Sequence, residues 1–166
     1  MDMNYLSCLE MLETASQPLR IAVTGGRHVG KTTALKLFYA EGCRMGISIY
    51  GVVENAVFVG ERRVGYEFMD LFTKETCAVA HRTESLEYCF FDQAWVWAES
   101  KLKISQGYDV LIVDELGRIE AQNEGWMPML CRSLKMYPRH LIASVRDDAL
   151  PDIESILGKF DEIVWI

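Results

Sequence analysis

The sequence predicts an α/β fold: a mostly parallel sheet with helices on both faces and a β-hairpin or meander insertion. Three observations predict it. Strand and helix patterns alternate along the 166 residues without repeats, low-complexity tracts or linkers. Two apolar runs, "LRIAVT" (19–24) and "YDVLIVDE" (108–115), are rich in β-branched residues and read as buried strands. Between them, "ISIYGVV", "AVFVGERRVGYEFMDLF" and "CAVA" are β-like runs separated by Gly51, Gly60 and the charged Glu61-Arg62-Arg63. Their connections are too short for crossover helices, so they pair as neighbours.

Each element has its own signal. Residues 3–14 place Tyr5, Leu9 and Leu12 at helical spacing before Gln17-Pro18, making 1–18 an amphipathic leader helix ahead of a domain over 19–166. An apolar stripe usually serves the nearest core, so docking on the domain's own surface is favoured over partner binding. "TTALKLFYAEG" (32–42) reads as a helix with Leu35 and Phe38 on one side and Gly42 as its stop. From Phe91 a second stripe runs through Trp95, Ala98 and Leu102, with Trp97 at or beyond its edge. After the 108–115 strand come a helix over roughly 124–136, the strand "HLIASV" (140–145), a short helix after Pro151 and a last strand "EIVWI".

Composition narrows the class. The chain is 50% hydrophobic and 25% charged, enough for one domain with a full core. A net charge of −7 and the lack of a dense Lys/Arg run argue against a nucleic-acid partner. Five widely spaced cysteines with no C-x-x-C pattern suit reduced thiols in a cytoplasm better than a disulfide or zinc framework. The acidic N-terminus does not read as a signal peptide, and no apolar run approaches membrane-spanning length, so a soluble, cytoplasmic protein is expected. Cys77 and His81, four apart with no further cluster, read as structural rather than metal-binding.

The chemistry lies in "VTGGRHVGKTT". Gly25, four residues, then Gly30-Lys31-Thr32 match G-x-x-x-x-G-K-[ST], with a strand before and a helix after. Glycines let the backbone curl so that its N–H groups face one phosphate, and the helix start adds its positive dipole end. The whole loop is the expected cradle: Gly25, Gly26, Arg27, His28, Val29, Gly30, Lys31, Thr32 and Thr33. Lys31 brings a charge for the outer phosphates, and Thr32 a hydroxyl for Mg²⁺. The pattern therefore predicts bound nucleoside triphosphate and Mg²⁺ in a P-loop three-layer fold. Asp114, at the end of an apolar strand, is the expected second Mg²⁺ ligand. Glu115 directly after it is the expected group that orients and deprotonates an attacking water. Arg27 and His28 lie in the loop, while Arg118 and Arg146 follow neighbouring strands. Any of them could stabilise charge on the transferring phosphoryl group, with Arg27 nearest by construction.

Base recognition has no signal. "GKFD" (158–161) looks like a guanine-reading motif, but its first position is Gly158 and it precedes a strand instead of following one. Loose specificity across ATP, GTP and other triphosphates is expected.

These stretches together carry a resemblance. "VTGGRHVGKTT", "GERRVGYEFMDL", "VLIVDELGRIE", "GWMPML" and "ASVRD" occur in the order seen in the small P-loop nucleoside-triphosphatase family, which has archaeal, bacterial and human members, including the human cancer-related nucleoside-triphosphatase. The discriminating parts are Arg63, Gly65 and Tyr66, and then Asp114, Glu115, Gly117 and Glu120. What the resemblance implies is slow, Mg²⁺-dependent hydrolysis of several nucleoside triphosphates to diphosphate and phosphate, with an additional catalytic glutamate. The chain departs from the family in its leader and in the "ISIYGVVENAVFVGE" segment, so a protein partner could engage either. Competing classes are a kinase with a small acceptor and a nucleotide-switched accessory protein.

Overall fold

Apolar residues facing both ways along the central strands build a sheet that must be covered on both sides. The structure, a computed structural model, describes residues 3–166. Helix α1 (Met3–Thr14) leads into β1 (Arg20–Gly25), α2 (Lys31–Met45) and an antiparallel run of β2 (Ile49–Val59), β3 (Arg62–Asp70), β4 (Thr76–Arg82) and β5 (Tyr88–Phe90). Then follow α3 (Asp92–Ile104), β6 (Val110–Leu116), α4 (Arg118–Ala121), α5 (Met127–Met136), β7 (His140–Arg146), α6 (Leu150–Leu157) and β8 (Glu162–Trp165).

The eight strands form one sheet in the order β5-β4-β3-β2-β6-β7-β1-β8. Strands β2, β6, β7, β1 and β8 pair in parallel, and β3, β4 and β5 extend the sheet antiparallel from β2. Alternate residues divide two cores. Ile21, Val23, Val110 and Ile112 face Leu9, Leu12, Leu35 and Phe38 of α1 and α2. Ala22, Leu111, Val113 and Ala143 join Ala98, Leu102, Met127, Leu130 and Ile153 of α3, α5 and α6. The result is the expected three-layer α/β architecture with a meander at one edge. Leader helix α1 lies on α2, with the Tyr5 ring edge-on to Phe38 at 4.9 Å. No described helix is long and apolar enough to cross a membrane.

Four details differ from the sequence reading. Gly42 does not stop its helix, because α2 continues to Met45 and closes at Gly46 with φ 83°. The missing side chain at Gly42 instead leaves room for Ile49 and Leu9. Gly51 does not separate two runs either. It lies inside β2, where a Cβ would strike Ile112 and Leu71 at 2.8 Å. The expected 124–136 helix is divided into a turn and α5, preceded by the single-turn α4. Phe91, read as the start of the α3 stripe, turns outward onto His81, while Trp97 at the stripe's edge stacks its ring on Phe68 at 6.3 Å.

Gly65 has a stricter reason. It sits in β3 opposite β4, and a Cβ would overlap the backbone carbonyl of Ala80, which cannot move aside like a side-chain tip. Gly65→Ala is expected to destabilise the protein by about 1–3 kcal/mol, the usual cost of overpacking. A urea midpoint equal to the native one would remove this account.

Candidate active site

The parallel strands bring three chain segments to one edge of the sheet. β1 ends at Gly25 with φ 149°, and a Cβ there would meet the Ile166 carbonyl oxygen at 2.6 Å. The backbone curls on through His28 (φ 61°) and Gly30 (φ 108°) before α2 begins at Lys31. The first amides of α2 have no partner within the helix, which makes this end an anion-binding position. Lys31 is almost completely buried, and its Nζ donates to the carbonyls of Gly25 (3.1 Å) and Gly26 (2.6 Å). The lysine therefore lies back across the loop it serves.

Asp114 lies in β6 and is 1% exposed, with Glu115 exposed and Leu116 buried after it. Thr32 Oγ1 donates to its Oδ2 at 2.7 Å, as does the Glu54 amide at 3.1 Å. The Glu115 amide (3.0 Å) and the Ser144 hydroxyl bind the other oxygen. Burial raises the Asp114 pKa, opposed by these hydrogen bonds. Ser144, fully buried on β7, also accepts from the Glu115 amide at 2.7 Å.

The geometry of Glu115 is unusual. Its φ is 62°, a left-handed value rare outside glycine, and the β6–β7 register shifts between Val113 and Leu116. Such an irregularity at a strand end re-aims a side chain. Here it turns Glu115 to the cleft, where the side chain meets water but is closely surrounded by protein. That desolvation, together with the Asp114 charge, raises its pKa, while Lys31, Arg146 and His28 oppose the rise. Glu120 supports the segment from below. Its buried carboxylate accepts from the Gly117 amide at 3.0 Å and the Trp126 amide at 3.3 Å, fixing the loop after β6.

The resulting cleft, about 480 Å³, brings Arg27, His28, Gly30, Lys31, Thr32 and Glu115 together. Gly25 and Gly26 shape the loop beneath Lys31. Val29 and Thr33 are exposed and are not among the residues lining the cleft. Of the other arginines, Arg146 lines the cleft but is bound to Asp148 by two hydrogen bonds of 3.0 and 2.7 Å. Arg118 also reaches Asp148, at 3.0 Å, and lies outside this cleft. Arg63 lines it above Tyr66, its guanidinium carbon 5.3 Å from the ring centre, and its Nε has no partner.

Sequence reading missed Glu54. Burial, then the neighbouring Glu115, Asp114 and Glu120, raise its pKa to about 8. The signal was topological. Val52 of β2 pairs with Val113 of β6, so Glu54 sits beside Asp114 at the same sheet edge.

Residues 20–164 match the family model described as NTPase. A nucleoside-triphosphatase THEP1 of Pyrobaculum aerophilum is 32% identical over 158 residues, covering 89% of this chain and 84% of that protein. A namesake from Methanocaldococcus jannaschii is 28% identical over 124 residues, 70% and 72% of the two chains. The solution structure of a human cancer-related nucleoside triphosphatase superposes with a TM-score of 0.66 at 18% identity, covering 89% of this chain and 87% of the other. THEP1 from Aquifex aeolicus gives 0.60 at 22% identity, covering 89% and 88%. These two likenesses speak for the fold, and the sequence matches carry the assignment: the chain belongs to the NTPase family.

Proposed function

We propose that the protein hydrolyses nucleoside triphosphates, ATP and GTP among them, to diphosphate and phosphate with Mg²⁺. The observation that carries this reading is the contact between Thr32 Oγ1 and Asp114 Oδ2 at 2.7 Å, with Glu115 next in the chain and turned into the same cleft. A hydroxyl and a carboxylate in contact are a hard, all-oxygen donor pair. They suit Mg²⁺, which takes few protein ligands and keeps several waters. Thr32 and Asp114 would hold the ion, which neutralises charge on the outer phosphates when bound.

The loop from Gly25 to Thr33 encloses the phosphates with its backbone amides. Lys31 exchanges its two carbonyl contacts for the β and γ phosphates, and Arg27 stabilises charge as it develops on the γ-phosphoryl group. Glu115 takes the proton of the attacking water. Its raised pKa makes it a better base than an ordinary carboxylate while it stays open to solvent. The cleft residues named above bind phosphate and protons, not a base, which fits loose nucleotide preference. The five unpaired cysteines fit a reducing cytoplasm.

Phosphate release from ATP, GTP, CTP and UTP tests the proposal. Release is expected with Mg²⁺, is expected to stop with excess EDTA, and should vanish in Lys31→Ala together with nucleotide binding. Unchanged turnover in either condition would overturn the reading.

A further inference from the structure

Beyond Glu115 the cleft opens into a second cavity of about 250 Å³. The two share Glu54, Tyr66, Glu115 and Arg146 as a common wall. The far side is aromatic, with Tyr88 and Phe90 of β5, Trp95 of α3 and Trp126 before α5. The rings brace one another: Tyr66 and Tyr88 lie 5.2 Å apart, and Trp95 meets Trp126 edge-on at 6.3 Å.

We propose that this side pocket binds a neutral, hydroxyl-bearing flat heterocycle of nucleoside size, whose hydroxyl displaces the water beside Glu115. The inference rests on the hydrolytic reading above, because that reading sets the direction of the bound triphosphate. With its terminal phosphate at Lys31, Thr32 and Glu115, the nucleotide's own base extends away from Glu115, and the side pocket is left for another molecule.

Three features select the occupant. Aromatic walls favour a flat ring through stacking. Two carboxyl groups at the shared wall, Glu54 and Glu115, offer hydrogen-bond partners to hydroxyls, and the Glu115 carboxylate disfavours an anion. The cations that line this pocket, Arg118 and Arg146, both bind Asp148, so neither is free for a phosphate, and Arg63 lines the triphosphate cleft but not this pocket. A nucleoside meets all three conditions, whereas a nucleoside monophosphate does not.

The test is tryptophan fluorescence, read from Trp95 and Trp126, during titration with adenosine, guanosine, uridine and thymidine. It is run with and without a non-hydrolysable triphosphate and needs no turnover. Phosphate release is then measured over the same nucleoside range. The expected result is saturable quenching by at least one nucleoside, undisturbed by the triphosphate, with phosphate release falling at the same midpoint. Tyr88→Ala, and the exposed Phe90→Ala as a milder variant, are expected to weaken both midpoints at least tenfold. A phosphorylated nucleoside among the products would also support the pocket, by placing the hydroxyl where water attacks. Several outcomes would overturn it: no saturation, competition with the triphosphate, midpoints unchanged in both variants, or saturation that leaves phosphate release unaffected. Failed hydrolysis with saturable quenching intact would instead count against the triphosphatase reading alone.

Discussion

Glu115→Gln is expected to bind nucleotide with the native dissociation constant and to release phosphate about 10²–10⁴-fold more slowly, the usual contribution of a positioned acid–base group. The two side chains have nearly the same volume, and the contacts that hold residue 115 in place use its backbone amide, donating to Asp114 and Ser144. The substitution therefore leaves the cradle, the Thr32–Asp114 contact and the left-handed backbone in place. What it removes is the ability to take a proton. Binding measured with a non-hydrolysable triphosphate, beside single-turnover phosphate release, separates the two effects. Native turnover would remove Glu115 from the mechanism. Should Glu54→Gln lose activity in its place, the water would belong to the carboxyl on β2.

How far the sequence revealed this site depends on how local each signal was. The loop from Gly25 to Thr33 was legible because its pattern is contiguous and its glycines answer to backbone geometry. Asp114 and Glu115 were legible because they directly follow a buried apolar run, Val110 to Val113, on a central strand. Glu54 was not, since its importance comes from β2 lying parallel to β6, and "ISIYGVV" and "AVFVGERRV" read as separate runs hide that pairing. The glycines show the same limit. At Gly60, in the turn between β2 and β3, chain geometry alone decides (φ 60°), but at Gly42 and Gly51 a packed neighbour decides, and no local pattern reveals it. Trp97 was placed off its helical stripe by angle alone. Its ring nevertheless reaches back to Phe68, because a large side chain at the edge of a stripe can still cover the core.

That same tryptophan covers the buried ion pair behind the second large effect. Lys101 sits on α3 with its Nζ 2.9 Å from Asp70, 2.7 Å from Glu75 and 4.8 Å from the Trp97 ring centre. Asp70 is fully buried, and its carboxylate also accepts from Tyr50 and from the amides of Phe72 (2.8 Å) and Thr73 (3.1 Å). These bonds tie α3 to the turn between β3 and β4. Lys101→Met keeps most of the buried stem but leaves the carboxylate without its cation, and is expected to cost about 3–5 kcal/mol. Adding Asp70→Asn should recover part of the loss, because no charge then remains uncompensated. The acid limb gives an independent reading. Burial works to raise the Asp70 pKa, but Tyr50, Lys101 and the two amides outweigh it and hold the group at about 2. A depressed carboxyl contributes fully above its unfolded value, about 3.9, and loses that contribution as pH falls through the folded value. The native protein is therefore expected to lose this stability between about pH 4 and pH 2. In Lys101→Met the carboxyl titrates higher, so the loss begins at a higher pH. Urea midpoints measured from pH 7 to pH 2 for both proteins read the two effects together, and parallel curves would mean that Lys101 does not hold Asp70 charged.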